Sequence, residues 1–307
     1  MTAAEASARP RGNLSNALFT AVVGGALVLF LTVVALVLCS NIWYLSEPDP
    51  SIKATGWQLF VQGLRDPENL FAVKISVLMS AVTALLSMLV AIPSAYALSR
   101  YRIPGAALVD TLLDLPIVVP PPVIGLSLLV FFQTAAGQTV NHLTPLWFVD
   151  GTNFVLSKLL GHPIQDDQNW VYTTRGIVVA QFFVACSFGV RAVKAAFDTI
   201  GTRHEDVART LGCTRRQAFM RVVLPMARSG IIAGAVMTWA RAVAEFGPVL
   251  FFCGATRYKT EVLPVGMFLL YSAGRIEQAV VLLLIMLAIS TLTLLAFKRL
   301  GGKGYLW

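Results

Sequence analysis

Six apolar runs separated by polar stretches limit what this chain can become more than any other feature. They cover residues 17–38, 71–98, 108–132, 176–190, 229–252 and 279–297. Most reach the roughly 20 residues that an α-helix needs to cross about 30 Å of hydrocarbon. In lipid every backbone N–H and C=O must find a partner within the protein, and a helix satisfies them inside each segment. The pattern predicts an all-α, polytopic membrane protein with six transmembrane helices. Composition agrees, since 56% of the 307 residues are hydrophobic and 13% charged, against roughly 25% charged in a soluble domain.

The first run exceeds the apolar region of about 7 to 15 residues found in a signal peptide. Trp43 and Tyr44 follow it where an interfacial belt belongs, so this segment is expected to stay attached. Residues 47–69 read as a water-exposed loop with a short interfacial helix around 57–64, and 134–174 as a long polar loop. Residues 262–273 are expected to dip partly into the membrane. Asp110 and Asp114, four apart at the start of the third run, belong at the membrane surface, because a carboxylate at the bilayer centre is costly.

Six spans place both termini on one side. On that side fall fifteen of the 24 Lys and Arg: Arg9, Arg11, Arg100, Arg102, the eight from Arg191 to Arg228, and Lys298, Arg299 and Lys303. Eight lie on the other side, and Arg241 falls inside a run. The positive-inside rule puts the fifteen, with both termini, in the cytoplasm, and makes 134–174 extracytoplasmic. The net charge of +8, which in a soluble protein would suggest nucleic acid, thus has a topological explanation. Cys39, Cys186, Cys213 and Cys253 form no CxxC pair, and His142, His162 and His204 are scattered. Neither a disulfide framework nor a metal site is indicated, and no cofactor is expected.

Residues 202–225, TRHEDVARTLGCTRRQAFMRVVLP, form a basic island between the fourth and fifth runs. Thr202 with Glu205 reads as a capping box that starts a helix. Gly212 ends that helix in a left-handed conformation, which glycine adopts without a Cβ penalty. Thr214 with Gln217 makes a second box, the next helix has Phe219, Val222 and Val223 on its apolar side, and Pro225 is expected to stop it. Five arginines here would also suit a DNA-binding helix-turn-helix, but the island is tethered to membrane spans at both ends and no other nucleic-acid feature accompanies it.

The island resembles the loop of permease subunits of binding-protein-dependent ABC importers, whose pattern is EAA, three residues, Gly, nine residues, Ile-x-Leu-Pro. Here Asp206, Val207 and Ala208 occupy the first three places, followed by Gly212 and by Val222, Val223, Leu224 and Pro225. Asp stands for the first Glu and Val for the first Ala. The wider likeness runs over about 115–266, where LPIVVPPPVIGL, GVRAVKAAFDTI and ARAVAEFGPVLFFCG look most like permeases for molybdate, tungstate or sulfate. The resemblance implies a type I importer permease of one transmembrane domain, 1–307, in the inner membrane of a prokaryote. It implies that 202–225 is a cytoplasmic coupling loop that docks on an ATPase subunit, with Thr202, Glu205, Asp206, Ala208, Gly212, Thr214, Gln217, Leu224 and Pro225 as its coupling residues. The implied partners are two ABC ATPase subunits, an extracytoplasmic solute-binding protein and a second permease chain, the same or different. Molybdate or tungstate is expected ahead of sulfate; ferric iron, thiamine and polyamine permeases share much of the pattern.

Two further stretches carry candidate path or gate residues. Pro116, Pro120, Pro121 and Pro122 crowd one run, and each removes a backbone donor. Membrane helices tolerate this only where protein or a water-filled path satisfies the freed carbonyls, so the run reads either as a broken, path-lining helix or as a structural kink. Glu245 is the deepest carboxylate, one turn after Arg241. The pair can simply neutralise itself at i, i+4, and a carboxylate would repel an anion. AEFGP therefore reads as a gate or helix break, at Glu245, Phe246 and Gly247. There is no GxxxxGK[ST] phosphate loop, so ATP hydrolysis is assigned to a separate subunit and this chain is not expected to be an enzyme. A secondary transporter, the rival class, would need charges or broken helices in two repeated halves and leaves the island unexplained.

The orientation has a direct test. In intact cells a cysteine at Ser7 should be protected from an impermeant thiol reagent while one at Gly161 reacts; the reverse pattern would invert the topology and put the island outside.

Overall fold

The computed structural model describes residues 12–46, 56–101 and 104–300, and these contain helices and no strand. Ser7, Arg9, Arg11, Pro48, Pro50, Lys53, Arg102 and Lys303 lie outside the described residues. Two compact units result, Met1–Phe60 and Val61–Trp307. In the first, α1 (Gly12–Ser46) carries exposed apolar side chains on every face, among them Leu18, Phe19, Leu27, Phe30 and Leu36. A helix apolar all round is one whose solvent is lipid. The amphipathic α2 (Gly56–Arg65) follows, with Trp57 stacked on Phe60.

The second unit is built around α3 (Pro67–Arg100), which Asp66 caps through the Glu68 N–H at 2.9 Å. The third apolar run, expected as one span, is two helices, α4 (Ala106–Val118) and α5 (Pro121–Gln133), bent by 109°. Val119, forced by Pro120 out of the helical region, is extended, and Pro121 and Pro122 open α5, where their missing N–H groups cost nothing.

Residues 134–174 depart from the loop expected there: they fold into α6 (Ala135–Leu143) and α7 (Leu146–Leu160). Asp150 and Asp167 stay exposed, but others of the stretch's polar side chains tie the helices and the chain after them together. Trp170 Nε1 donates to Thr144 Oγ1 at 2.9 Å and Asn153 Nδ2 to the Asp166 carbonyl at 2.8 Å. Next comes α8 (Thr174–Thr199), capped by Thr173, then α9 (Arg203–Thr210) and α10 (Arg215–Ala218). Pro225 does not end the island's second helix. The turn ahead of it widens into a π-turn, Phe219–Val223, in which the Leu224 N–H reaches the Phe219 carbonyl. Pro225 then sits in the first turn of α11 (Leu224–Val243), and one apolar helix runs from Arg215 to Val243. The run expected over 229–252 stops at Val243, because the chain turns out of helix at Ala244–Phe246 before α12 (Gly247–Cys253). After it come the short apolar α13 (Leu263–Ser272) and α14 (Ile276–Leu300). Among the described residues five helices are long and apolar enough to cross a bilayer, six if α4 and α5 make one span.

The core lies where α3, α8 and α11 meet. Small buried residues on α3, Ser80, Thr83, Ser87 and Ala91, face Ala180, Ala185 and Gly189 of α8, the composition that lets membrane helices approach closely. A Cβ on Gly189 would stand 2.8 Å from Thr238 Oγ1 of α11, and Thr83 Oγ1 donates to Gln181 Oε1 at 2.9 Å. Asp110 and Asp114 both take Arg191 of α8, at 2.9 and 2.7 Å, and so fix α4 to the core. Outside the spans, Glu261 has its carboxyl pushed up, mainly by burial and then by the neighbouring Glu68, with Arg257 offsetting in part.

Candidate coupling loop and helix breaks

The island begins where α8 ends and is shaped by its own short-range chemistry. Gly212 takes φ +91°; its N–H reaches the Arg209 carbonyl at 3.0 Å and that of Cys213 the Ala208 carbonyl at 3.1 Å. This is the paired closure of a Schellman motif. Two residues on, the Thr214 N–H donates to Gln217 Oε1 at 2.8 Å and the Gln217 N–H to Thr214 Oγ1 at 3.3 Å. Both halves of the second capping box are therefore present.

The first box is absent. Thr202 is already helical and its side chain caps nothing. Glu205 turns inward, with Oε2 2.9 Å from Arg100 Nε and Oε1 accepting from the Tyr96 hydroxyl. A guanidinium outcompetes a backbone N–H for a carboxylate, because the charge-assisted bond is roughly twice as strong. Arg100 also donates to the Phe197 and Ile200 carbonyls at 3.2 and 2.7 Å. One arginine thus joins the ends of α3 and α8 to α9. Tyr96 and Arg100 carry this anchor, yet in the sequence Arg100 read only as one charge in a topology count. A signal was present in hindsight: a Glu beside an acidic helix start, with an Arg at the end of an apolar span.

Tyr96 further packs on Phe219, ring centroids 4.5 Å apart, and Ala218 and Val223 are buried with it. Ala208 is buried and Leu224 half-buried, while Thr202, Asp206, Gly212, Thr214, Gln217 and Pro225 stay exposed. Away from the bundle the island presents Val207, Leu211 and Met220, of which Leu211 is 81% exposed, amid exposed Arg203, Arg209, Arg215 and Arg216. An apolar patch with a basic rim is the form of a docking surface.

The two helix breaks, about 125 residues apart in sequence, touch. A Cβ on Gly247 would lie 2.7 Å from Pro122 N, and one on Gly125 2.8 Å from Pro248 Cα, so α5 and α12 cross backbone to backbone. Pro121 borders this crossing and Pro120 caps α5, whereas Pro116 lies inside α4, a turn before the break. Glu245 is 1% exposed and its Oε1 lies 2.8 Å from Arg241 Nη2, whose guanidinium also covers the Phe188 ring. Phe246 packs on Phe268 of α13 at 5.1 Å. Gly125 was the residue here that sequence reasoning passed over. Among the described residues no cluster of His, Cys, Asp or Glu could hold a metal ion, and the four cysteines are free.

Over residues 84–303 the chain matches the family of binding-protein-dependent transport system inner membrane components. The chain belongs to that family. It is 30% identical over 285 residues to the sulfate transport system permease protein CysT of Salmonella typhimurium, covering 93% of each chain. Against the molybdenum transport system permease protein ModB of Escherichia coli it is 33% identical over 239 residues, 78% of this chain and 95% of that one. The molybdate/tungstate transport system permease protein WtpB of Thermococcus kodakarensis is 34% identical over 198 residues, 64% of this chain and 66% of that one. A chain of a bacterial ABC transporter involved in the import of the acidic polysaccharide alginate superposes with a TM-score of 0.68 at 15% identity, over 94% and 96% of the two chains, a likeness of fold alone. This inner membrane component is therefore a multi-pass permease subunit of an ABC importer.

The anchor of the permease's island is open to test. Arg100→Ala leaves the Glu205 carboxylate buried without its cation, a loss of about 3–5 kcal/mol for a buried pair. The variant should still insert, but its island should be cut by trypsin faster than the parent's, and Arg100→Met with Glu205→Leu should recover part of the protection. Cleavage of the single variant at the parental rate would show that the anchor does not hold the loop.

Proposed function

We propose that this permease forms half of the path for a tetrahedral oxyanion, sulfate or molybdate and tungstate, handed over by an extracytoplasmic solute-binding protein and driven by two ATPase subunits bound at the cytoplasmic face. The observation that carries the solute class is the likeness to a permease named for sulfate, over 93% of this chain, together with ones named for molybdenum and for molybdate/tungstate, over 78% and 64% of it. These divide between the two solutes, so they support the class more than one member of it. A second permease chain completes the path, both termini are cytoplasmic and 134–174 faces outward. ATP hydrolysis belongs to the partner subunits.

In this reading the island of residues 202–225 is the coupling loop: Val207, Leu211 and Met220 enter a groove on the ATPase and the arginines around them pair with its rim. The crossing of α5 and α12 is the gate. Its glycines allow close backbone contact, so a shift of α5 against α12 there would open or close the path beside the Arg241 and Glu245 pair. Glu245 carries the wrong sign to hold an oxyanion, so the pair serves the gate rather than the cargo.

Coupling and gating separate in one reconstituted ATPase and uptake assay. Gly212→Val forces a branched residue into the left-handed region, at roughly 1–3 kcal/mol, and should lose ATPase binding or transport-coupled hydrolysis while still reaching the membrane. Glu245→Gln should keep ATPase binding and raise uncoupled hydrolysis or leak. Normal uptake by the first, or an altered choice of solute in the second, would count against these roles.

The solute is tested by calorimetry on the partner binding protein, whose gene should lie close by. Submicromolar binding of sulfate, molybdate or tungstate is expected. Tight binding of ferric iron, thiamine or a polyamine with no oxyanion response would remove the solute assignment and leave the permease standing.

A further inference from the structure

Between Lys74 and Arg100, residues 75–99 of α3 carry no charge. Hydrocarbon takes up roughly 20 residues of a spanning helix, so these 25 residues leave a slack of about five. Residues 80–94 therefore lie in hydrocarbon wherever the bilayer settles along α3. Val82 and Leu86 fall inside that stretch, and with Leu85, Leu89 and Val90 they are exposed, a face whose solvent is lipid.

Across a cavity of about 500 Å³ from Val82 and Leu86 stand Trp147, Phe148, Gly151 and Val155 of α7. The polar groups that border the cavity are turned away from it. Thr152 Oγ1 donates to the Val149 carbonyl at 2.9 Å. Arg175 Nε and Nη1 are buried, and Nη2 donates to the Asp167 carbonyl. Nothing in this wall suits water, and its α3 side is at hydrocarbon depth.

α7 itself is divided lengthwise. Val149, Leu156 and Leu160 are buried, the last two in one core with Phe71, Ile75 and Met79 of α3. Trp147, Phe154, Val155 and Leu159 are exposed, Trp147 to 75% and Phe154 to 70%. Both charges of α7 are exposed as well. Asp150 is five positions from Val155, about 140° round the helix, and Lys158, in the last turn, has a stem long enough to carry its ammonium to the interface. The end of α7 leaves the hydrocarbon, since the His162 ring meets that of Phe71 at 5.9 Å between centroids, on the far side of Lys74. A helix with one flank on protein, one apolar flank bearing tryptophan and its charges at the edges has the form of one that lies in a bilayer's boundary. Its backbone groups are satisfied internally, as that depth requires. A water-soluble partner cannot enter hydrocarbon, so acyl chain is what this flank fits.

We propose that α7 lies within one leaflet of the bilayer rather than above it, with Trp147, Val155 and Leu159 against acyl chains that also fill the cavity between α7 and α3. The placement follows from α3 and holds for either orientation of the chain and for any solute. On the orientation proposed above, the leaflet is the outer one.

Gly151 and Val155 both line the cavity, and a Cβ on Gly151 meets nothing within 4 Å, so a cysteine at either can carry a nitroxide. The full chain is used in its assembly, with Cys39→Ala, Cys186→Ala and Cys213→Ala to remove the native thiols that are not buried. In phospholipid vesicles the nitroxide at Val155→Cys should collide with oxygen, relative to a water-soluble nickel chelate, severalfold more often than one at Gly161→Cys, just past the end of α7. Gly151→Cys should match Val155→Cys, and it decides alone should Val155→Cys fail to accumulate. A collision ratio at the cavity positions equal to that at Gly161 would place α7 in water and overturn the proposal. Shielding of both positions from oxygen and nickel alike overturns it too, since a second copy or another protein would then cover α7 in place of lipid.

Discussion

Close contact between α3 and α8 is the interaction on which the other features depend. Lipid offers helices no hydrophobic drive to associate, so packing must come from shape and dispersion between surfaces that can approach. Here serines, threonines, alanines and Gly189 make that approach, and the Thr83 to Gln181 bond adds about 0.6 kcal/mol, the average for such a bond inside a membrane. The contact matters for what it aligns. It brings the end of α3 beside the end of α8, and only there can Arg100 reach the last carbonyls of α8 and Glu205 of α9 together. The island is thereby attached to the core through a buried ion pair and an aromatic cluster, while its other face remains exposed.

A second constraint governs the breaks. Leaving helix inside a membrane frees backbone groups that lipid cannot satisfy, so irregular chain is stable only against other protein or a wet path. This molecule places its two irregular stretches against one another. Gly125 and Gly247 remove the side chains that would keep α5 and α12 apart, and the prolines around them supply rings rather than donors. The buried Glu245 sits at the end of α11 with its cation one turn away. That arrangement lowers the cost of a buried carboxylate without removing it.

Much of this was legible in the sequence, and the failures share a cause. Apolar runs near 20 residues found the spans, because lipid reads only length and polarity. Gly212 and the Thr214 to Gln217 box were legible because their bonds close within five residues. Thr202 and Glu205 satisfied the same local pattern and failed, since Arg100, 105 residues away, offers Glu205 a stronger partner. Pro225 failed by the converse route: a proline ends a helix unless the turn before it adjusts, and a π-turn made that adjustment. The stretch from 134 to 174 read as loop because polar residues suggest irregular chain, whereas here many sit on the exposed sides of two helices and others, such as Asn141, Thr144 and Asp166, are buried and bonded. Proline and glycine announced both breaks, but nothing local could announce that they cross.

The failure at Pro225 changes how the parts are connected. Had the helix stopped there, the island would hang on a hinge and could move without disturbing the spans. Instead a single helix of 29 residues runs from Arg215 to Val243, about 43 Å at 1.5 Å per residue, with the proposed docking surface at one end and the break holding Glu245 at the other. A helix is stiff along its axis, and close-packed neighbours shift between discrete arrangements more readily than they deform. On the coupling reading, a displacement at Arg215 therefore arrives at Ala244 as a movement of the rod, resisted by its close contacts with α8, among them Gly234 with Val193 and Thr238 with Gly189. The compliant points are the π-turn near one end and the break at the other. The anchor between Arg100 and Glu205 then acts as the fulcrum, since it holds α9 to α3 and α8 while α10 continues into the rod.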